Sequence, residues 1–131
     1  MSANGRLKEL YAQINALSEE IPAQLSKKIS LYTHVLELLG KLHADAVNEE
    51  GLAEADRKRI YSETVVSAQG TATDKAARAE ISCYDARKRE AFAKAESWRY
   101  RNAYTSTQEV INALKLELKS LMQELNNTNT E

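Results

Sequence analysis

The chain is 131 residues long, with 18 Lys+Arg against 19 Asp+Glu, a formal net charge of -1, one cysteine and one proline. That length suits one domain, and the charge balance excludes both bulk-charge coating of nucleic acid and acidic mimicry of DNA. A lone Cys83 excludes an intrachain disulfide framework.

Few breakers and much Ala, Leu, Glu and Lys predict an all-helical protein. No apolar run reaches the length of a membrane span, and the first residues carry no apolar signal core, so the expected location is cytoplasmic, without membrane contact. Charge is uneven along the chain: residues 1–52 hold 5 basic and 7 acidic groups, 53–101 hold 11 and 8, and 102–131 hold 2 and 4.

Leu7, Leu10, Ile14, Leu17 and Ile21 recur at three-four spacing and predict a helix over 5–21. Pro22 then removes a backbone donor, and the pattern slips by one residue to Leu25, Ile29, Tyr32, Leu36 and Leu39. Either a kink or a fresh helix with proline in its first turn accounts for both signals. The second helix is placed at 23–47. Leu31, Val35, Leu38 and Leu42 add a second seam there, so this helix needs at least two helical neighbours. Asn48-Glu49-Glu50-Gly51 is the strongest turn signal in the chain, and the first arm is expected to fold back through 48–52.

A third helix over 53–68 places Leu52, Ala55, Arg59, Ser62 and Val66 on one face, with Ile60 and Tyr61 beside it. Gln69 to Asp74 reads as a break, with Thr71 or Thr73 as the cap of a helix over 73–125; one uninterrupted arm from 53 is the alternative. The last helix carries a seam of Ala76, Ala79, Cys83, Ala86, Ala93, Ser97, Tyr100, Tyr104, Thr107, Ile111, Leu114, Leu118, Leu121 and Leu125, interrupted only by Glu90. Unbroken, it is roughly 80 Å long at 1.5 Å per residue. Small seam residues before 98 let helix axes approach closely, and Ile and Leu after 110 hold them apart. Ile81, Tyr84, Ala91, Ala95 and Trp98 form a second stripe, again calling for two neighbours. Ser106 and Glu109 have capping-box spacing, so a bend is expected near 105, and Asn126–Glu131 is expected to fray.

The chemistry-bearing residues form no catalytic set. His34 and His43 are nine apart, whereas metal pairs on a helix sit three or four apart. Cys83 lies among alanines, as a small apolar side chain would. Glu90 is expected to set register rather than to act as an acid. There is no phosphate loop, zinc-ligand set, nucleophile-base arrangement or carboxylate pair, so no enzyme activity and no cofactor are expected. Trp98, Arg99, Tyr100, Arg101 and Tyr104 are the densest set of interface-type anchors and the candidate protein-interaction site. Ile111, Leu114, Leu118, Leu121 and Leu125 are the candidate oligomer seam. Arg87, Lys88, Lys94 and Arg101, with Lys115 further along, are the candidate nucleic-acid contacts, set against interleaved Asp85, Glu90 and Glu96.

Lys41-Leu42-His43-Ala44-Asp45, Gln69-Gly70-Thr71-Ala72-Thr73-Asp74-Lys75-Ala76-Ala77 and the stretch Trp98 to Asn112 resemble small helical proteins of bacteriophage and prophage early regions. The resemblance covers about the last two-thirds of the chain and carries no catalytic motif. It implies a phage product in bacterial cytosol that binds and inhibits or redirects a defence, recombination or replication protein.

The expectation is one elongated all-α domain, 1–131, an antiparallel long-helix hairpin or coiled-coil-like bundle. It would act as a homodimer or higher oligomer that also binds a heterologous protein. A nucleic-acid-binding accessory in recombination and a structural spacer are the rivals.

Overall fold

The computed structural model describes residues 2–130. Among them the chain is all-α and without strands: α1 spans Ala3–Asn15, α2 Pro22–Ser67, α3 Ala72–Ser82 and α4 Tyr84–Thr130. The long helices α2 and α4 pack antiparallel, so the fold is a helical hairpin.

Helix α1 begins earlier than its apolar pattern suggests, because the Ser2 hydroxyl accepts the Gly5 N–H at 3.1 Å and caps it. It also ends earlier, at Asn15 rather than at 21. A proline at 22 would clash with the carbonyl of residue 18 in a continuing helix, and it biases residue 21 away from helical angles. The chain therefore leaves the helix upstream of Pro22 and restarts with Pro22 as the first residue of α2. Gln24 fixes the connection: its Oε1 accepts the Ser18 N–H at 2.8 Å, while the Ser18 hydroxyl accepts from Glu20.

The expected turn at 48–52 does not form, and α2 runs through it. Ala46, Glu50, Ala53, Arg57, Ile60 and Thr64 keep three-four spacing across Asn48–Gly51, and all of them are buried or half-buried. One exposed glycine in a helix costs about 1 kcal/mol relative to alanine, less than the loss of a continuous packed face. The hairpin instead turns at 68–71. Gly70 adopts φ 112° there, a conformation in which any Cβ is disfavoured. Thr71 and Asp74 close a reciprocal capping box at 3.2 Å in each direction.

The helix that follows is interrupted once, at Cys83, whose N–H still bonds Ala79 O at 3.0 Å while its own carbonyl accepts from Arg87 at 2.8 Å. The helix is not broken near 105, and α4 continues through the expected tail to Thr130; Glu131 lies outside the described residues.

The chain divides into two compact units. The first comprises residues 1–42 and 101–131. Its core is Leu10 and Ile14 of α1, Leu25, Leu31, Val35 and Leu39 of α2, and Thr107, Ile111 and Leu114 of α4. Both seams of 25–39 are covered from within the same chain. Thr107 sits in that core without penalty, because its hydroxyl donates to Ala103 O at 2.7 Å. The second unit, residues 43–100, has a buried seam of Ala46, Ala79, Cys83, Ala86, Ala93 and Ser97. Small side chains bring α2 and the α3–α4 segment close, and the Cys83 thiol reaches Arg57 O at 3.5 Å.

Candidate interaction surface

In the second unit, one side of each helix meets its neighbour and the other side does not. On α2 the face Leu52, Ala55, Arg59, Ser62 and Val66 is exposed throughout, and Val66 is 85% exposed. The buried side is the one through Ala46, Arg57 and Ile60, so the face that spacing singled out is the outer one. On α3 and α4 the second stripe is also open. Ile81 is 76% exposed, Tyr84 63% and Trp98 52%, with Ala91 and Ala95 between them and Phe92, 69% exposed, on its flank. The two neighbours expected for 76–98 reduce to one within this chain. Lys88, at the same spacing, lays its ammonium 5.2 Å from the Tyr84 ring centroid.

Between the two helices an ion-pair network replaces the missing seam residue at 90. Arg57 Nε donates to Glu90 Oε2 at 2.5 Å across the hairpin, with both side chains about three-quarters buried. Glu90 thus stands in the seam as the partner of Arg57, in place of an apolar residue. Asp56 accepts from Arg59 on its own helix and from Arg89 on α4, each at 2.7 Å, and these guanidinium contacts hold its carboxyl below the usual range. Glu54 is lowered by Lys58, at 2.9 Å. The hydrogen bond to Glu90 raises Arg57, and those to Asp56 and Glu63 raise Arg59.

The sequence-predicted interaction set is parted by the division of the chain. Trp98, Arg99 and Tyr100 fall in the second unit, Arg101 and Tyr104 in the first. Trp98 is exposed, Arg99 is paired with Glu96, and Tyr100 is half-buried on the inner seam. Tyr104 packs in the first unit against Gly40, where an added Cβ would meet its ring at 3.4 Å. Of the candidate oligomer seam, Ile111 and Leu114 are buried within this chain, Leu118 and Leu121 are half-buried, and Leu125 is 46% exposed. For Ile111 and Leu114 the cover comes from the chain itself.

Of the basic candidates, one is answered by an acid and one by an aromatic ring. Arg87 pairs with Glu80 at 2.8 Å, Arg89 with Asp56, and Lys88 lies over Tyr84, while Lys94 and Arg101 are exposed. His34 is 3.8 Å from Glu37. Among the described residues no three His, Cys, Asp or Glu side chains gather as a metal site would require, and no helix is long and apolar enough to cross a membrane. Among the described residues, one shallow groove is lined by Thr64, Ser67, Ala68, Arg78, Ile81 and Ser82, and another by Leu36, Thr105, Gln108, Glu109, Ile111, Asn112 and Lys115.

What spacing alone missed is which side of 52–66 faces inward. The signal was present in Arg57, a charged residue in phase with Ala46 and Ile60, which becomes an inward residue once Glu90 is its partner. No family model, no curated protein and no solved structure matches the chain.

Proposed function

We propose that this chain is a non-enzymatic helical interaction module that associates with itself and with a second protein through helix faces it leaves uncovered. One observation carries the reading: in the second unit both helices hold large apolar residues at helical spacing on their outer sides, Leu52 and Val66 on α2, and Ile81, Tyr84 and Trp98 on α3 and α4. A stripe of exposed large apolar side chains, as along Ile81, Tyr84 and Trp98, marks an association site more often than isolated exposed residues do. Its bacterial setting, and a role in redirecting a defence, recombination or replication protein, rest on the resemblance to small phage early-region proteins.

The test is affinity capture from bacterial lysate, with and without nuclease, using the wild type, Leu52→Glu/Val66→Glu and Ile81→Glu/Trp98→Glu. A nuclease-resistant protein lost from one of the double variants, with helicity by circular dichroism unchanged, is the expected result. A protein retained equally by every variant speaks against these faces. Capture abolished by nuclease favours nucleic acid as the primary ligand.

A further inference from the structure

The outer stripe of α3 and α4 has the same layout from either end. Ile81 and Trp98, Tyr84 and Ala95, and Lys88 and Ala91 lie at equal distances about a midpoint between Arg89 and Glu90. The interruption at Cys83 preserves this phase, because the i to i−4 bonds into and out of Cys83 are both made, at 3.0 and 2.8 Å. We infer that this stripe is the self-complementary face of a two-fold, antiparallel dimer of the chain, centred between residues 89 and 90. The inference rests on the association reading above and names the occupant of one of its two faces.

A two-fold interface requires that residue i meet j while j meets i. Antiparallel pairing about this midpoint sets Tyr84 against Ala95 of the second copy and Ala91 against the apolar stem of Lys88, so large side chains meet small ones. Ile81 meets Trp98 at each end.

At the two ends of the stripe charge selects the direction, against one like pair at the centre, Arg87 with its own copy. Glu80 and Asp85 flank one end of the stripe, and Lys94 and Arg99 flank the other, all exposed. Antiparallel copies bring Glu80 to Lys94 and Asp85 to Arg99. Parallel copies bring Glu80 to Asp85 and Lys94 to Arg99, like against like. In the single chain Glu80 pairs with Arg87 at the surface, a contact that exchanges at little cost, and Arg99 can keep Glu96, whose side chain is mostly buried, while its remaining donors reach Asp85 of the second copy.

The area is of the order that a small specific interface needs. Aromatic side chains bury 150–250 Å² each, and Tyr84, Phe92 and Trp98 are 63%, 69% and 52% exposed. The six rings of a pair then bring on the order of 700 Å² out of water. Ile81 and the stripe alanines take the total toward the ~1,000 Å² that a specific interface needs.

Analytical ultracentrifugation of the full chain over a wide concentration range tests this. The wild type is expected to dimerise, and Ile81→Glu/Trp98→Glu to be monomeric with unchanged helicity. Leu52→Glu/Val66→Glu, on the other outer face, should dimerise normally. Asp85→Arg should weaken the dimer by roughly tenfold, by turning two attractive pairs repulsive, and adding Arg99→Asp should restore it. A monomeric wild type, or a dimer indifferent to Ile81→Glu/Trp98→Glu, overturns the inference. So does a dimer strengthened by Asp85→Arg, which is the signature of parallel pairing. A monomeric wild type that still captures a protein through either outer face overturns this pairing alone; absence of self-association and of capture together overturns the association reading as well.

Discussion

Gly51 and Gly70 are the same residue type in opposite roles. Gly51 lies mid-helix with nothing within 4 Å of an added Cβ, so Gly51→Ala should raise stability by about 0.5–1 kcal/mol in urea unfolding. Gly70 has φ 112°, and its Cβ would stand 2.8 Å from Asp74 Oδ2. Gly70→Ala should therefore destabilise, through backbone strain and disturbance of the capping carboxylate. Asp56 supplies a pH dependence. Its folded-state pKa lies below the ordinary aspartate value because of Arg59 and Arg89. A depressed acid stabilises the fold above its unfolded pKa and loses that contribution as pH falls through the lower, folded value. Asp56→Asn should leave a shallower fall in stability on the acid side of the ordinary aspartate range than the wild type shows, read from unfolding midpoints as a function of pH.

At the scale of the helix, α4 shows two packing regimes that call for opposite substitutions. Ala86 is 1% exposed in a seam of small residues, so Ala86→Leu should cost about 1–3 kcal/mol by forcing the axes apart. Leu114 is 6% exposed in the larger core of the first unit, and Leu114→Ala should cost about 2–5 kcal/mol by leaving a cavity. Thermal and urea unfolding measure both. The change of regime was legible in the sequence, because alternation of three and four from Ala79 to Leu114 needs no knowledge of the partner helix. The capped start at Thr71 was legible too, since Thr71 and Asp74 have the spacing of a reciprocal cap. The turn signal at Asn48–Gly51 does not become a turn because the phase linking Ala46 to Ala53 and Arg57 outweighs local turn propensity. The interruption at Cys83 carries no glycine or proline and left no trace in the pattern. The short α1 was hidden because Leu17 and Ile21 continue the apolar spacing beyond the last helical residue.

For the molecule as a whole, the two units differ in what their interiors hold. The first buries Leu, Ile and Val side chains, each contributing about 1.5–3 kcal/mol when fully removed from water, whereas an alanine methyl contributes nearer 0.8. The second buries alanines, Cys83 and Ser97, half-buries Ile60 and Tyr100, and holds Leu52, Val66, Ile81, Tyr84, Phe92 and Trp98 outside. The candidate site was accordingly half legible: the second stripe was visible as a pattern, but whether this chain covers it depended on the neighbours of 76–98. If a second copy covers it, the unfolding temperature should rise with protein concentration in the wild type and stay constant in Ile81→Glu/Trp98→Glu. Differential scanning calorimetry at several concentrations measures this. The buried thiol of Cys83 gives the molecule an intrinsic clock. With no surface exposed and its Sγ held against Arg57 O, it can be alkylated only in moments when α2 and the α3–α4 segment separate, so the labelling rate counts those separations in solution without any added probe.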